Sequence, residues 1–199
     1  MEDRNRKTLV ELIFLGLVPA LAATVNTASA LSMGTGIIFI VVLSTATMKL
    51  LGHFVTEENR CFVVLVVTAF FASAFQMVSE AFFLSAYKTI GIYIVLSSIS
   101  MMVYAFASGA AKGDEKGIVA KALGFSFAYA IVMVFVGALR EIMGLGTLWG
   151  NTEGAILEYF AGHKVQILQK APGAFMVASI VLALVSFILR KIEKKEVEA

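Results

Sequence analysis

Apolar residues run along this chain in blocks longer than a strand or a soluble helix requires. Four charge-free blocks, residues 61–79, 89–111, 122–139 and 171–189, reach or approach membrane-spanning length. That length is ~20 residues, because a helix rises ~1.5 Å per residue and the hydrocarbon layer is ~30 Å thick. A fifth uncharged block, residues 12–48, holds 37 residues, too many for one crossing. The polar run Asn26-Thr27-Ala28-Ser29 divides it into a short segment at about 9–24 and a full one at about 31–51. The pattern predicts an all-α integral membrane protein with six transmembrane helices.

Composition agrees. Hydrophobic residues make up 59% of the 199, charged residues 15%, and the mean hydropathy is +0.89. Soluble domains carry roughly 25% charge. A net charge of +2 points to no nucleic-acid partner, and a single cysteine, Cys61, excludes an intramolecular disulfide. The charged start, Met1 to Thr8, runs directly into apolar chain, so the first segment reads as retained and not as a cleaved signal.

Charge placement sets the direction. With the N-terminus in the cytoplasm, Arg4, Arg6, Lys7, Lys49, Arg60, Lys112, Lys116, Lys121, Arg190, Lys191, Lys194 and Lys195 lie inside. Lys88, Lys164 and Lys170 lie outside, and Arg140 sits at a membrane edge. That bias is what the positive-inside rule requires. Both termini are expected in the cytoplasm of a prokaryotic inner membrane, with residues 144–170 as a long external loop.

The six segments form one membrane domain, residues 1–199, with halves at about 9–83 and 89–190 and short cytoplasmic tails. Three helices per half give the halves opposite orientations, an inverted repeat. Segments 1 and 4 are then counterparts, and both are expected to be broken. Segment 1 carries Gly16 and Pro19; segment 4 carries Gly91 and the polar centre Ser97, Ser98 and Ser100. Proline removes a backbone donor, and serine rebonds freed backbone groups. Ordinary helices, one kinked and one packed through small residues, explain the same spacing.

The most telling stretch is Gly124-Phe-Ser, followed by Gly137-Ala-Leu-Arg-Glu-Ile-Met-Gly-Leu-Gly-Thr-Leu-Trp-Gly150. Leu15-Gly-Leu-Val-Pro-Ala-Leu-Ala, Ala74-Phe-Gln-Met, Tyr87-Lys-Thr-Ile-Gly-Ile-Tyr-Ile and Ala171-Pro-Gly-Ala-Phe accompany it in order. Together they resemble the E-type membrane component of the Rnf-type ion-translocating electron transport complex, related to the D-type component of the sodium-pumping NADH:quinone reductase. The resemblance implies a membrane core subunit paired with an oppositely oriented sister six-helix subunit and with other redox subunits in the bilayer. It also implies a 2Fe–2S cluster shared with the sister. The family holds its half of that cluster by one cysteine before the first-helix proline and another in the fourth helix. Here the first position is Val18, and residues 97–102 contain no thiol. The scaffold role transfers; a cofactor on this chain does not.

The remaining polar residues each carry two readings. Arg140 and Glu141 are costly in a membrane, by ~2.5–3.5 kcal/mol even on the lenient insertion scale. They suit an ion path or a clamp on a partner, but end-of-helix residues at the external interface, with Arg140 snorkelling, are the favoured reading. Glu80, one turn after Gln76, suits cation entry or an ordinary interface. Thr24, Asn26 and Thr27 could offer oxygens to a cation or form a simple polar turn. His53 and His163 lie on opposite sides, so no metal site is expected, and no nucleophile–base pair suggests catalysis. Two alternatives to the redox-driven pump subunit stay open. One is a six-helix solute-binding component of a vitamin or metal importer; the other is a cluster-free assembly subunit.

Overall fold

The computed structural model describes residues 20–82, 84–111, 117–147, 149, 166–170, 172–181, 183 and 187. Among them every regular element is helical, with no strand. The elements are α1 (Thr27–Leu51), α2 (Arg60–Phe82), α3 (Leu84–Leu96), α4 (Met101–Ala111), α5 (Ile118–Leu145) and α6 (Pro172–Val181). Short 3-10 turns occupy Gly52–Phe54, Ser97–Ile99 and Gln166–Gln169.

Among the described residues, three helices are long and apolar enough to cross a membrane unaided: α1 with the turn after it, α2 and α5. At 1.5 Å per residue, α1, α2 and α5 span about 35–42 Å, more than the hydrocarbon layer alone. A fourth crossing arises if the bent pair Tyr87–Ile99 and Met101–Ala111, angled by 42°, counts as one. The expected segment at 9–24 lies outside the described residues except for 20–24, and the last segment is described chiefly over α6. The expected boundaries were short at α5, which begins before Ala122 and continues past Leu139 to Leu145.

Burial shows which helix is the hub. α1 packs most extensively on α5 and next on α4. Met33, Ile37, Ile40 and Val41 of α1 meet Tyr129, Met133 and Val136 of α5, Met102 and Val103 of α4, and Ile90 and Ile94 of α3. A second cluster, nearer Leu51, joins Met48, Val64, Ala107, Ala110 and Ile118. Half of α1's most apolar window is buried inside the protein, against 17% for α2. α2 turns Phe62, Val66, Phe70 and Met77 outward. Such a face suits lipid, whose tails are as apolar as the side chains.

The α1–α5 crossing is closest where small residues face each other. A Cβ placed on Gly137 would stand 2.6 Å from the Ala30 Cβ and 3.3 Å from the Asn26 carbonyl oxygen. No side chain fits there without the helices parting. We expect Gly137→Val to lower the stability of the detergent-solubilised protein by about 1–3 kcal/mol, read by thermal unfolding. Gly124→Ala, whose Cβ meets nothing within 4 Å, removes a glycine from the interior of α5 and is expected to raise it by about 0.5–1 kcal/mol.

Candidate functional site: a polar turn clasped by Arg140 and Glu141

Ahead of α1 the chain unwinds. Ala20 and Leu21 are helical, and residues 22–26 form turns and bends before α1 starts at Thr27. Unwinding withdraws the i+4 donors that the Leu21 and Thr24 carbonyls would have met in a continuous helix. Inside a membrane protein those carbonyls need another source of donors. Part of the need is met locally, by Thr24 N–H to Leu21 O (3.2 Å) and Thr24 Oγ1 to the same oxygen (2.8 Å).

The rest comes from α5. Arg140 is fully buried, with 0% exposure, and is the largest such side chain among the described residues. Its Nη1 donates to Thr24 O (2.6 Å), Thr24 Oγ1 (3.0 Å) and Leu21 O (3.1 Å). Its Nε donates to Leu168 O (2.9 Å) and its Nη2 to Lys170 O (3.3 Å). One guanidinium therefore ties the turn before α1 to the turn before α6. Its fork of five N–H donors can reach both sets of oxygens at once.

Glu141, the next residue, is 3% exposed and serves the start of α1. Its Oε2 accepts from the Thr27 N–H (2.8 Å) and from Thr27 Oγ1 (2.6 Å). Its Oε1 accepts from Thr147 Oγ1 (3.4 Å). Asn26 caps the same helix through its side-chain oxygen, which accepts from Ser29 N–H (2.8 Å). A carboxylate at a helix N-terminus satisfies orphan donors and complements the helix dipole. α5 itself ends one turn later at Gly146, whose φ of 69° lies in the left-handed region. That conformation suits glycine and lets its N–H close on Ile142 O, so Thr147 turns back toward Glu141.

This corrects the favoured reading of Arg140 and Glu141. Arg140 does not snorkel: its side chain is fully buried, and α5 runs on past it to Leu145. Both residues lie against the protein, where two turns remote in sequence present main-chain carbonyls to the Arg140 guanidinium. Thr24 and Thr27 fall into the same group. The carbonyls of Leu21, Leu168 and Lys170 were not foreseen, since main-chain acceptors leave no trace in residue type. The available signal was the pairing of two charges with a polar break inside otherwise apolar chain.

The second group of predicted residues lies elsewhere. Ser97, Ser98 and Ser100 are buried and occupy the bend between α3 and α4. Ser97 Oγ donates to Ile94 O (2.6 Å), and Ser98 Oγ to Val95 O (2.7 Å). Ser100 closes the 3-10 turn on Ser97 O (3.0 Å), takes ψ 134°, and restarts the helix by accepting from the Tyr104 N–H. The hydroxyls of Ser97 and Ser98 thus bond their own helix. No thiol occurs in residues 97–102, and Cys61 is exposed at the start of α2. This donor set does not fit a thiolate-held iron–sulfur cluster. Glu80 is exposed near the end of α2, and Gln76 donates to Tyr87 Oη (3.3 Å). Gly16, Val18 and Pro19 lie outside the described residues.

Known proteins share this sequence along nearly its whole length. The family described as "Rnf-Nqr subunit, membrane protein" matches residues 4–182. The E component of the ion-translocating oxidoreductase complex of Escherichia coli O1:K1 / APEC is 31% identical, over 98% of this chain and 88% of its own length. The same component from Citrobacter koseri is 30% identical, over 98% and 89%. That of Shewanella sp. strain MR-4 is 26% identical, over 98% and 88%. Neither the importer component nor the cluster-free assembly subunit finds support in these matches.

The clasp makes a quantitative prediction. Thr27→Val keeps the backbone donor and loses the hydroxyl, and is expected to cost roughly 0.6–2 kcal/mol, the range of hydrogen bonds between membrane helices. Glu141→Gln, which removes a charged acceptor, is expected to cost about 1–3 kcal/mol. A double-mutant cycle read by unfolding in detergent should give less than the sum of the two, because both act on one contact.

Proposed function

The chain belongs to the Rnf-Nqr family of membrane subunits, and from that premise we propose that it is a membrane-embedded core subunit of a redox-driven, ion-translocating oxidoreductase complex. The observation that carries the reading is the family match over residues 4–182. The relatives named as the E component of such a complex, matched over 98% of this chain, support it.

In this reading six helices cross a prokaryotic inner membrane as two inverted triplets, with both termini in the cytoplasm. Among the described residues the three unaided spans and the bent pair make up to four of the six crossings; the uncharged runs of the sequence carry the rest of the count, and the bias of lysine and arginine supports the direction. An oppositely oriented sister subunit packs beside it, and the two shape a path for electrons and for Na⁺ or H⁺. The chain's own part is structural and electrostatic. The clasp holds the turn before α1, and the serines hold the bend in segment 4. Residues 97–102 contain no thiol, so the bend in segment 4 would supply no thiolate to an iron–sulfur centre of the complex.

Affinity purification of the intact chain from its native membrane tests the role. We expect flavin- and iron-bearing membrane subunits to accompany it, with the iron assigned to those partners by metal analysis after the subunits are separated. A chain that purifies alone, folded and without redox partners, overturns the role.

A further inference from the structure

Among the described residues, five oxygens converge on one buried cation: Leu21 O, Thr24 O, Thr24 Oγ1, Leu168 O and Lys170 O, at 2.6 to 3.3 Å from the Arg140 nitrogens. Four of the five are main-chain carbonyls, the ligand type that hard monovalent cations take when they shed water inside a protein. They come from two chain segments, one on each side of α5 in sequence, each next to the start of a helix. The Glu141 carboxylate on the adjacent residue is buried as well.

We infer that this oxygen cage is a cation site filled permanently by the chain's own Arg140 guanidinium, which makes it a lock between the turns before α1 and α6 and not a way-point of the ion path. The inference deepens the proposed role, on which it rests, by assigning the site to the fixed framework. A transported ion must leave its ligands on every cycle. A tethered guanidinium bonded to both turns does not, and it denies the cage to Na⁺ by occupying it. Arg140 is accordingly a positioning residue, holding Thr24 and its neighbours in place through hydrogen bonds of fixed geometry.

The test is amide hydrogen exchange on the purified complex, followed at residues 21–27 and 166–170. In the Arg140→Ala complex, exchange in both segments should rise about tenfold or more as the turns lose their shared donor. Low concentrations of free guanidinium should restore protection in both, whereas Na⁺ or choline at the same ionic strength should not. Restoration by Na⁺ equal to that by guanidinium overturns the lock and makes the cage an ion-binding step. A rise in only one segment also overturns it, since the two turns would then not share the cation. If the variant does not assemble, the wild-type complex decides. Protection of both segments unchanged between NaCl and choline chloride supports the lock, and Na⁺-dependent protection refutes it. Recovery of redox partners with the wild-type chain is scored separately, so the lock can fail while the proposed role stands.

Discussion

Backbone that unwinds inside a membrane protein must be re-bonded from within, and this requirement governs the described structure. A buried carbonyl that has lost its helical donor is also cut off from water, which costs on the order of 1–3 kcal/mol. The turn at 22–26 creates such carbonyls, and Arg140 answers them. The reverse demand is equally strict, because a buried guanidinium is tolerated only when its N–H groups find oxygens. Turn and side chain each remove the other's penalty. Loss of either leaves the other exposed to the full cost.

That mutual dependence explains why the surrounding elements are built to narrow tolerance. Gly137 lies one turn before Glu141 and lets α5 approach Ala30 and Asn26 at the very start of α1. Asn26 and Glu141 then divide the first donors of α1 between them. Gly146 stops α5 in time for Thr147 to reach back. α1 is thereby held at its start largely by α5, which is also the helix it packs on most extensively. α2 has no such duties and faces outward with its large apolar side chains.

How much of this could be read from the residues follows from what residue type encodes. The long helices Thr27–Leu51, Arg60–Phe82 and Ile118–Leu145 were legible because uninterrupted apolar length is itself the physical requirement for crossing. The polar interruption at 26–29 was legible as a division of a run too long for one span, although the unwinding falls a few residues earlier, at 22–26. The serine run at 97–100 coincides with the bend, since small hydroxyls compete for helical carbonyls wherever they cluster. The fate of Arg140 was not legible. A charge followed closely by Gly144 has the same sequence appearance whether the helix stops or continues to Leu145. The difference lies in carbonyls of Leu21, Leu168 and Lys170, which belong to residues that look apolar or solvent-facing by type.

The turn before α1 and the bend between α3 and α4 are physically unlike. The first is bonded by an ionised side chain from another helix, so opening it would strand a buried guanidinium without its oxygens. The second is bonded by hydroxyls of its own helix, Ser97 to Ile94 O and Ser98 to Val95 O. A neutral hydroxyl can rotate away from a carbonyl and back at the cost of about one ordinary hydrogen bond, and no charge is left behind. The clasp at Arg140 is therefore the costlier of the two to open.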